Sequence, residues 1–250
     1  MSSNIMRSSN PALGDKTFSS YEGAASGSDV MTIDGAVNKT GILLLLVILA
    51  ASFTWHQYFQ TKTAVIWVLI GGFGGFIVGL ITSFKKEWAP VTAPLYAVLE
   101  GLFLGGISAI YESLYNGLVL QAIGLTFGTL FCLLMAYKSG MIKATENFKL
   151  GVVAATGAIF VVNLVSMVLG FFKINIPGLF SGGPVSIIFS LVVVVVAALN
   201  LVLDFDFIEK GAEMQVPNYM EWYAGFGLMV TLIWLYLEIL RLLSYLRGRD

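Results

Sequence analysis

The chain has 250 residues, of which 57% are apolar and only 12% charged, with a net charge of −1 and a mean hydropathy of +0.85. A soluble domain carries about a quarter of its residues as charges. The 14 basic and 15 acidic side chains here therefore cannot cover a water-soluble fold of this size, and their near balance offers no basic face for nucleic acid. The composition describes an all-α polytopic membrane protein.

Residues 1–38 read as a soluble, disordered tail. Eight serines fall in the first thirty positions, among glycines and scattered charges, and such a stretch buries too little apolar surface to offset its ordering entropy. No basic start runs straight into a short apolar core, so the tail is not a signal peptide. From Gly41 onward, residues 39–250 break into seven apolar stretches near the roughly 20 residues that a bilayer-crossing helix needs. The expected spans are 41–59, 64–84, 91–111, 117–137, 150–172, 185–207 and 222–246. A tight turn near Gln60–Thr61 joins the first two, and Lys85, Lys86, Glu87 and Pro90 separate the second from the third.

Lys and Arg positions set the expected orientation. The tail and the loops after spans two, four and six hold Arg7, Lys16, Lys39, Lys85, Lys86, Lys138, Lys143, Lys149 and Lys210. The other side holds Lys62, Lys173, Arg241, Arg247 and Arg249. The amino terminus is therefore expected in the cytoplasm, with Arg241 snorkelling from the last span. Gly71, Gly75 and Gly79, Gly101 with Gly105, and Gly124 with Gly128 recur every fourth residue, the spacing at which helix backbones approach closely in lipid. Cys132 is the only cysteine and His56 the only histidine. Intrachain disulfides, thiolate clusters and multi-imidazole metal sites are thus excluded, and Cys132, in an apolar run, is expected to be a buried inert thiol.

The informative residues are acids at membrane depth, where a charge costs about 2.5–3.5 kcal/mol on insertion scales. Glu100 in span three, Asp204 near the end of span six and Glu238 in span seven qualify. Each has polar company at helical spacing: Thr92 and Tyr96 with Glu100, Asn200 with Asp204, Thr231 and Tyr245 with Glu238. Asn163 and Ser166 add a smaller patch on span five. Together these stripes predict a polar seam suited to protons or a small cation. Asp206 lies about 200° around the helix from Asp204 and is expected to face water or the basic loop at Lys85–Lys86, whose lysines are candidate latches. The bland alternative is that Glu100 is hydrogen-bonding glue between helices and that the aspartates mark a solvated helix end. Catalytic signatures such as H-E-x-x-H, G-x-S-x-G or a P-loop are absent, which argues against an enzyme, and no cofactor is expected beyond transient calcium.

The runs LNLVLDFDFIEKGAE (199–213), PNYMEWYAGFGLMVTLIWLYLEILRLL (217–243) and APLYAVLEGLFLGGIS (93–108) resemble the Bax inhibitor-1/YccA family, and in particular its bacterial branch with a soluble N-terminal tail. The resemblance implies a seven-helix fold with the last helix enclosed by the other six, in a bacterial cytoplasmic membrane. It further implies a pH-sensitive calcium leak controlled by an acid pair on helices six and seven. Asp204 matches the first acid. Glu238 stands where the family usually carries aspartate, and both are candidate calcium ligands. The 34-residue interval between them exceeds the family's usual spacing. Helix arithmetic accordingly puts Asp204 level with Glu100, and its partner is either Glu100 or Glu238. A different class of function, a non-transporting regulator that binds other membrane proteins such as a membrane protease, is suggested by the long tail.

Overall fold

A computed structural model of the chain describes residues 30–61, 64–172 and 182–248. Among these residues the architecture is helical throughout: α1 (Ile33–Thr61), α2 (Val65–Phe84), a 3₁₀ turn (Lys86–Trp88), α3 (Ala89–Leu114), α4 (Leu118–Lys138), α5 (Glu146–Phe171), α6 (Pro184–Glu213) and α7 (Tyr219–Arg247). Seven of these helices are long and apolar enough to cross a membrane, matching the seven expected spans. Large apolar side chains such as Phe73, Phe76, Leu120, Phe131, Phe160 and Ile188 are exposed, as they must be where the surrounding solvent is lipid. The hydroxyls of Thr40, Ser52, Thr82, Ser83, Thr126 and Ser166 donate to the carbonyl four residues earlier, so the helix itself satisfies them.

Several boundaries move. The first helix begins at Ile33 rather than Gly41, because Thr32 caps it: its Oγ1 accepts from Gly35 N at 2.9 Å, the usual role of a hydroxyl before a helix. Residues 33–38, expected in the tail, are thus helical, while the tail over 1–29 lies outside the described residues, as do Lys62, Lys173 and Arg249. Helix α6 runs on to Glu213, its polar last turns supported by an Asp206–Lys210 ion pair. Pro90 falls in the first turn of α3, where its missing N–H costs nothing.

The chain forms two compact units. The first comprises residues up to Leu114 together with Asp206–Val230. In it α3 packs on both α1 and α2 through glycine contacts. A Cβ on Gly71 of α2 would lie 2.5 Å from Leu99 O and 2.6 Å from Phe103 N, and one on Gly101 of α3 would lie 2.5 Å from Val47 O. The segment entering α1 is strapped onto the segment entering α7. Val30 bridges to Pro217, Met31 N donates to Val216 O at 2.7 Å, and Met31 is fully buried. Glu221 Oε1 accepts from both Thr32 N and Thr32 Oγ1, at 3.0 and 2.9 Å.

The second unit comprises Tyr115–Phe205 and the chain from Thr231 onward. Ile159 of α5 with Val193 and Val196 of α6 form its apolar centre, covered by Ala155, Phe189 and Trp234. Two glycine expectations fail here. A Cβ on Gly124 or Gly128 would meet nothing within 4 Å, because the recurring glycines of α4 have no facing backbone. Cys132 is exposed, not buried; an apolar run on a membrane helix is as suited to lipid as to a protein interior.

Candidate functional site

The two units hold the candidate residues in separate groups. In the first unit, Tyr96 and Glu100 lie one turn apart on α3 and their side chains hydrogen-bond each other. The glycines of α2 make the recess they occupy: a Cβ on Gly75 would sit 2.7 Å from Glu100 Oε1 and one on Gly79 would sit 3.1 Å from the Tyr96 ring. The ridge thus accommodates a carboxyl group as well as a neighbouring backbone. Thr92, the third member of the stripe, turns away and donates to Trp88 O at 3.0 Å. Tyr96 also packs edge-to-face on Phe226, centroids 4.9 Å apart. The Glu100 carboxyl is therefore hydrogen-bonded within α3, by the tyrosine one turn earlier, and packed against the glycine ridge of α2.

The latch candidates fall at the same unit's α3 entrance. Lys85 caps the end of α2 through its backbone N–H. The Lys86 ammonium stands 5.5 Å from the centroid of the Tyr223 ring, a cation–π distance. Asp206 carries an ion pair of its own, with Lys210 Nζ 3.2 Å from Oδ2, the local i,i+4 partner that α6 supplies once it extends past Phe207.

In the second unit, Asp204 is buried and takes a hydrogen bond from the Thr231 side chain of α7. Its Oδ2 is buried with no hydrogen-bond partner among the described residues. Such an atom costs about 1–3 kcal/mol when left unmade, so native structures rarely keep one without a purpose. Asn200, one turn earlier, faces α5: its Nδ2 donates to Thr156 Oγ1 and to Val196 O, both at 2.8 Å. The polar patch on α5 is turned inward on its own helix, Asn163 donating to Ile159 O and Ser166 to Val162 O.

Glu238 is buried as well, and its partner is the basic residue at the edge of the last span. Arg241, three residues on, places Nη1 3.0 Å from Oε1 and 3.3 Å from Oε2, and the Trp234 side chain hydrogen-bonds the same carboxylate. The signal was present in the i,i+3 spacing. Thr231 precedes Glu238 by seven residues, about 10 Å along the helix. Asp204 therefore meets α7 two turns before Glu238, and the long interval noted in the sequence offsets the two acids along α7.

Among the described residues, no group of three or more His, Cys, Asp or Glu side chains could hold a metal ion together. Calcium takes six to eight oxygens, so one carboxylate aided by water and carbonyls can hold it only in passing. Residues 10–248 match the family model described as Bax inhibitor 1 like. No curated protein matches the chain.

Proposed function

The chain belongs to the Bax inhibitor 1-like family, and from that premise we propose that it is a pH-sensitive cation leak, calcium being the ion, of a bacterial cytoplasmic membrane, with its amino terminus in the cytoplasm. The observation that carries this reading is the buried Asp204 carboxyl, with Oδ2 left without a partner among the described residues inside an apolar helix. Deprotonated, it offers a full charge and one unshared oxygen to a passing cation, in surroundings where electrostatic attraction is only weakly screened. Protonated, it is neutral, Thr231 still orients it, and the attraction is gone. Conduction therefore falls on acidification. Asp204→Asn imitates the protonated acid and lowers calcium flux in proteoliposomes to a level that no longer varies with pH through this group; Glu238→Gln changes it too. Flux left unchanged by both substitutions refutes the mechanism.

A second reading, a regulator that binds another membrane protein, is favoured by the strap that fixes the root of the tail to Val216 and Glu221. Because residues 30–38 are built into the first unit, the discriminating deletion is 1–29. A regulator whose partner docks on the tail loses that partner, whereas a leak still conducts.

A further inference from the structure

Among the described residues no large apolar side chain is more exposed than Met141, at 82%. It stands on none of the spanning helices but on the short loop between α4 and α5, where two lysines flank it. We propose that this loop is a docking surface for anionic phospholipid: Met141 enters the membrane interface while Lys138 and Lys143 engage headgroup phosphates. The inference concerns a part of the second unit remote in sequence from the intramembrane acids, and it holds whether or not the chain conducts.

The loop lies at headgroup depth. Helix α4 has 21 residues, about 31 Å at 1.5 Å per residue, which matches a hydrocarbon core about 30 Å thick. Lys138, its last residue, therefore reaches the phosphate level. Gly140 then takes a left-handed conformation, with φ of 73°, which glycine adopts without strain. The chain turns back there, and Ile142 N donates to Ala136 O at 3.2 Å, which caps the end of the helix. Thr145 closes the loop by capping α5, its Oγ1 accepting from Phe148 N. The segment is thus folded back on the last turn of α4, with Met141 at its apex, and does not extend into water.

Its charge is uncompensated. Glu146 is the one acid from 138 to 149, and it pairs with Lys149 at 3.4 Å. Lys138 and Lys143 are exposed, and among the described residues neither enters an ion pair. The Lys143 stem lies over the turn, 3.9 Å from where a Cβ on Gly140 would stand. A zwitterionic headgroup would bring its own ammonium against these lysines, whereas an anionic one brings only the phosphate. Each lysine near the surface is worth about a five-fold preference for anionic lipid, and an apolar tip between them adds interfacial burial. Phe131 and Met135, exposed on α4 itself, carry the lipid-facing surface up to the loop. This continuity favours a lipid occupant over an acidic protein.

The test uses the full-length wild-type chain in liposomes of phosphatidylglycerol or of phosphatidylcholine. Oxidation of Met141 to the sulfoxide by hydrogen peroxide, a neutral reagent that surface charge does not concentrate, is followed by mass spectrometry of its peptide. Met214, 40% exposed on the loop after α6, is the reference. Relative to Met214, Met141 should oxidise several-fold more slowly in phosphatidylglycerol than in phosphatidylcholine. The double variant Lys138→Gln, Lys143→Gln should lose that difference, and Lys138→Arg, Lys143→Arg should keep it. Equal rates in the two lipids overturn the proposal, as does a difference that survives the glutamine variant. Fast oxidation in both lipids overturns it in favour of a protein occupant.

Discussion

Gly71 and Gly124 sit in helix interiors with the same local context and opposite surroundings, so alanine at each gives a controlled comparison. Gly→Ala in a helix gains up to about 1 kcal/mol from backbone entropy, and that gain is common to both positions. At Gly124 nothing lies within 4 Å of the new methyl, so the gain stands alone. At Gly71 the methyl would meet Leu99 O at 2.5 Å and Phe103 N at 2.6 Å. Both are backbone atoms of α3, which no rotamer change can move. Restoring ordinary contact forces α2 and α3 about 1 Å apart, an overpacking cost of about 1–3 kcal/mol, with loss of dispersion along the shared face. The difference between the variants therefore isolates the overpacking term. Gly71→Ala should be about 1–3 kcal/mol less stable than Gly124→Ala, a five- to 150-fold shift in the folding equilibrium. Reversible unfolding in mixed micelles titrated with dodecyl sulfate, followed by helical circular dichroism, measures it. Equal stability of the two variants would refute the packing assigned to α2 and α3.

Three further outcomes are expected. A double-mutant cycle of Thr32→Val and Glu221→Ala should return a coupling of about 1.5–3 kcal/mol, since it isolates the hydroxyl-to-carboxylate hydrogen bond while the backbone donor of residue 32 remains in Thr32→Val; additive single effects would remove that bond from the strap. Thr231→Val should cost about 0.6–1.7 kcal/mol, the range for interhelical hydrogen bonds in membranes, and Thr231→Ser, which keeps the donor, should cost clearly less. Ser190 Oγ is buried with no partner, so Ser190→Ala removes a desolvation penalty and should raise the unfolding midpoint; a fall would show that the hydroxyl is bonded in the membrane.

The seven spans were legible because length and apolarity alone decide whether a helix can cross a bilayer. The acids were legible because charges are rare there. What failed to show was which face of each helix has a neighbour. Gly71 and Gly124 belong to runs of identical spacing, and only the presence of α3 beside one separates a packing glycine from an idle one. Cys132 was misjudged for the same reason, since hydropathy gives the same value to a side chain facing lipid and one facing protein. The partner of Asp204 depends on the register of α6 against α7, which no local pattern encodes. Arg241 was legible only in part. Its spacing from Glu238 was visible, but a charge near a helix end was read as snorkelling when its long stem also lets it fold back on a buried acid.

A polar atom on a membrane helix has few ways to be satisfied, and this chain uses nearly all of them. Hydroxyls such as Thr82 and Thr126 return to their own backbone. Asn200 reaches across to Thr156, Glu100 is taken up by Tyr96, and Glu238 by Arg241. Each of these arrangements stabilises without requiring anything from outside. Asp204 Oδ2 does not fit the pattern, and neither does Ser190 Oγ, each buried without a partner among the described residues, although Thr231 stands close enough to serve the Asp204 carboxyl. A helix bundle able to satisfy Asn200 one turn away had the means to satisfy this oxygen. The two acids thus differ in their surroundings: Asp204 keeps one oxygen without a partner among the described residues, while Glu238 is paired with Arg241.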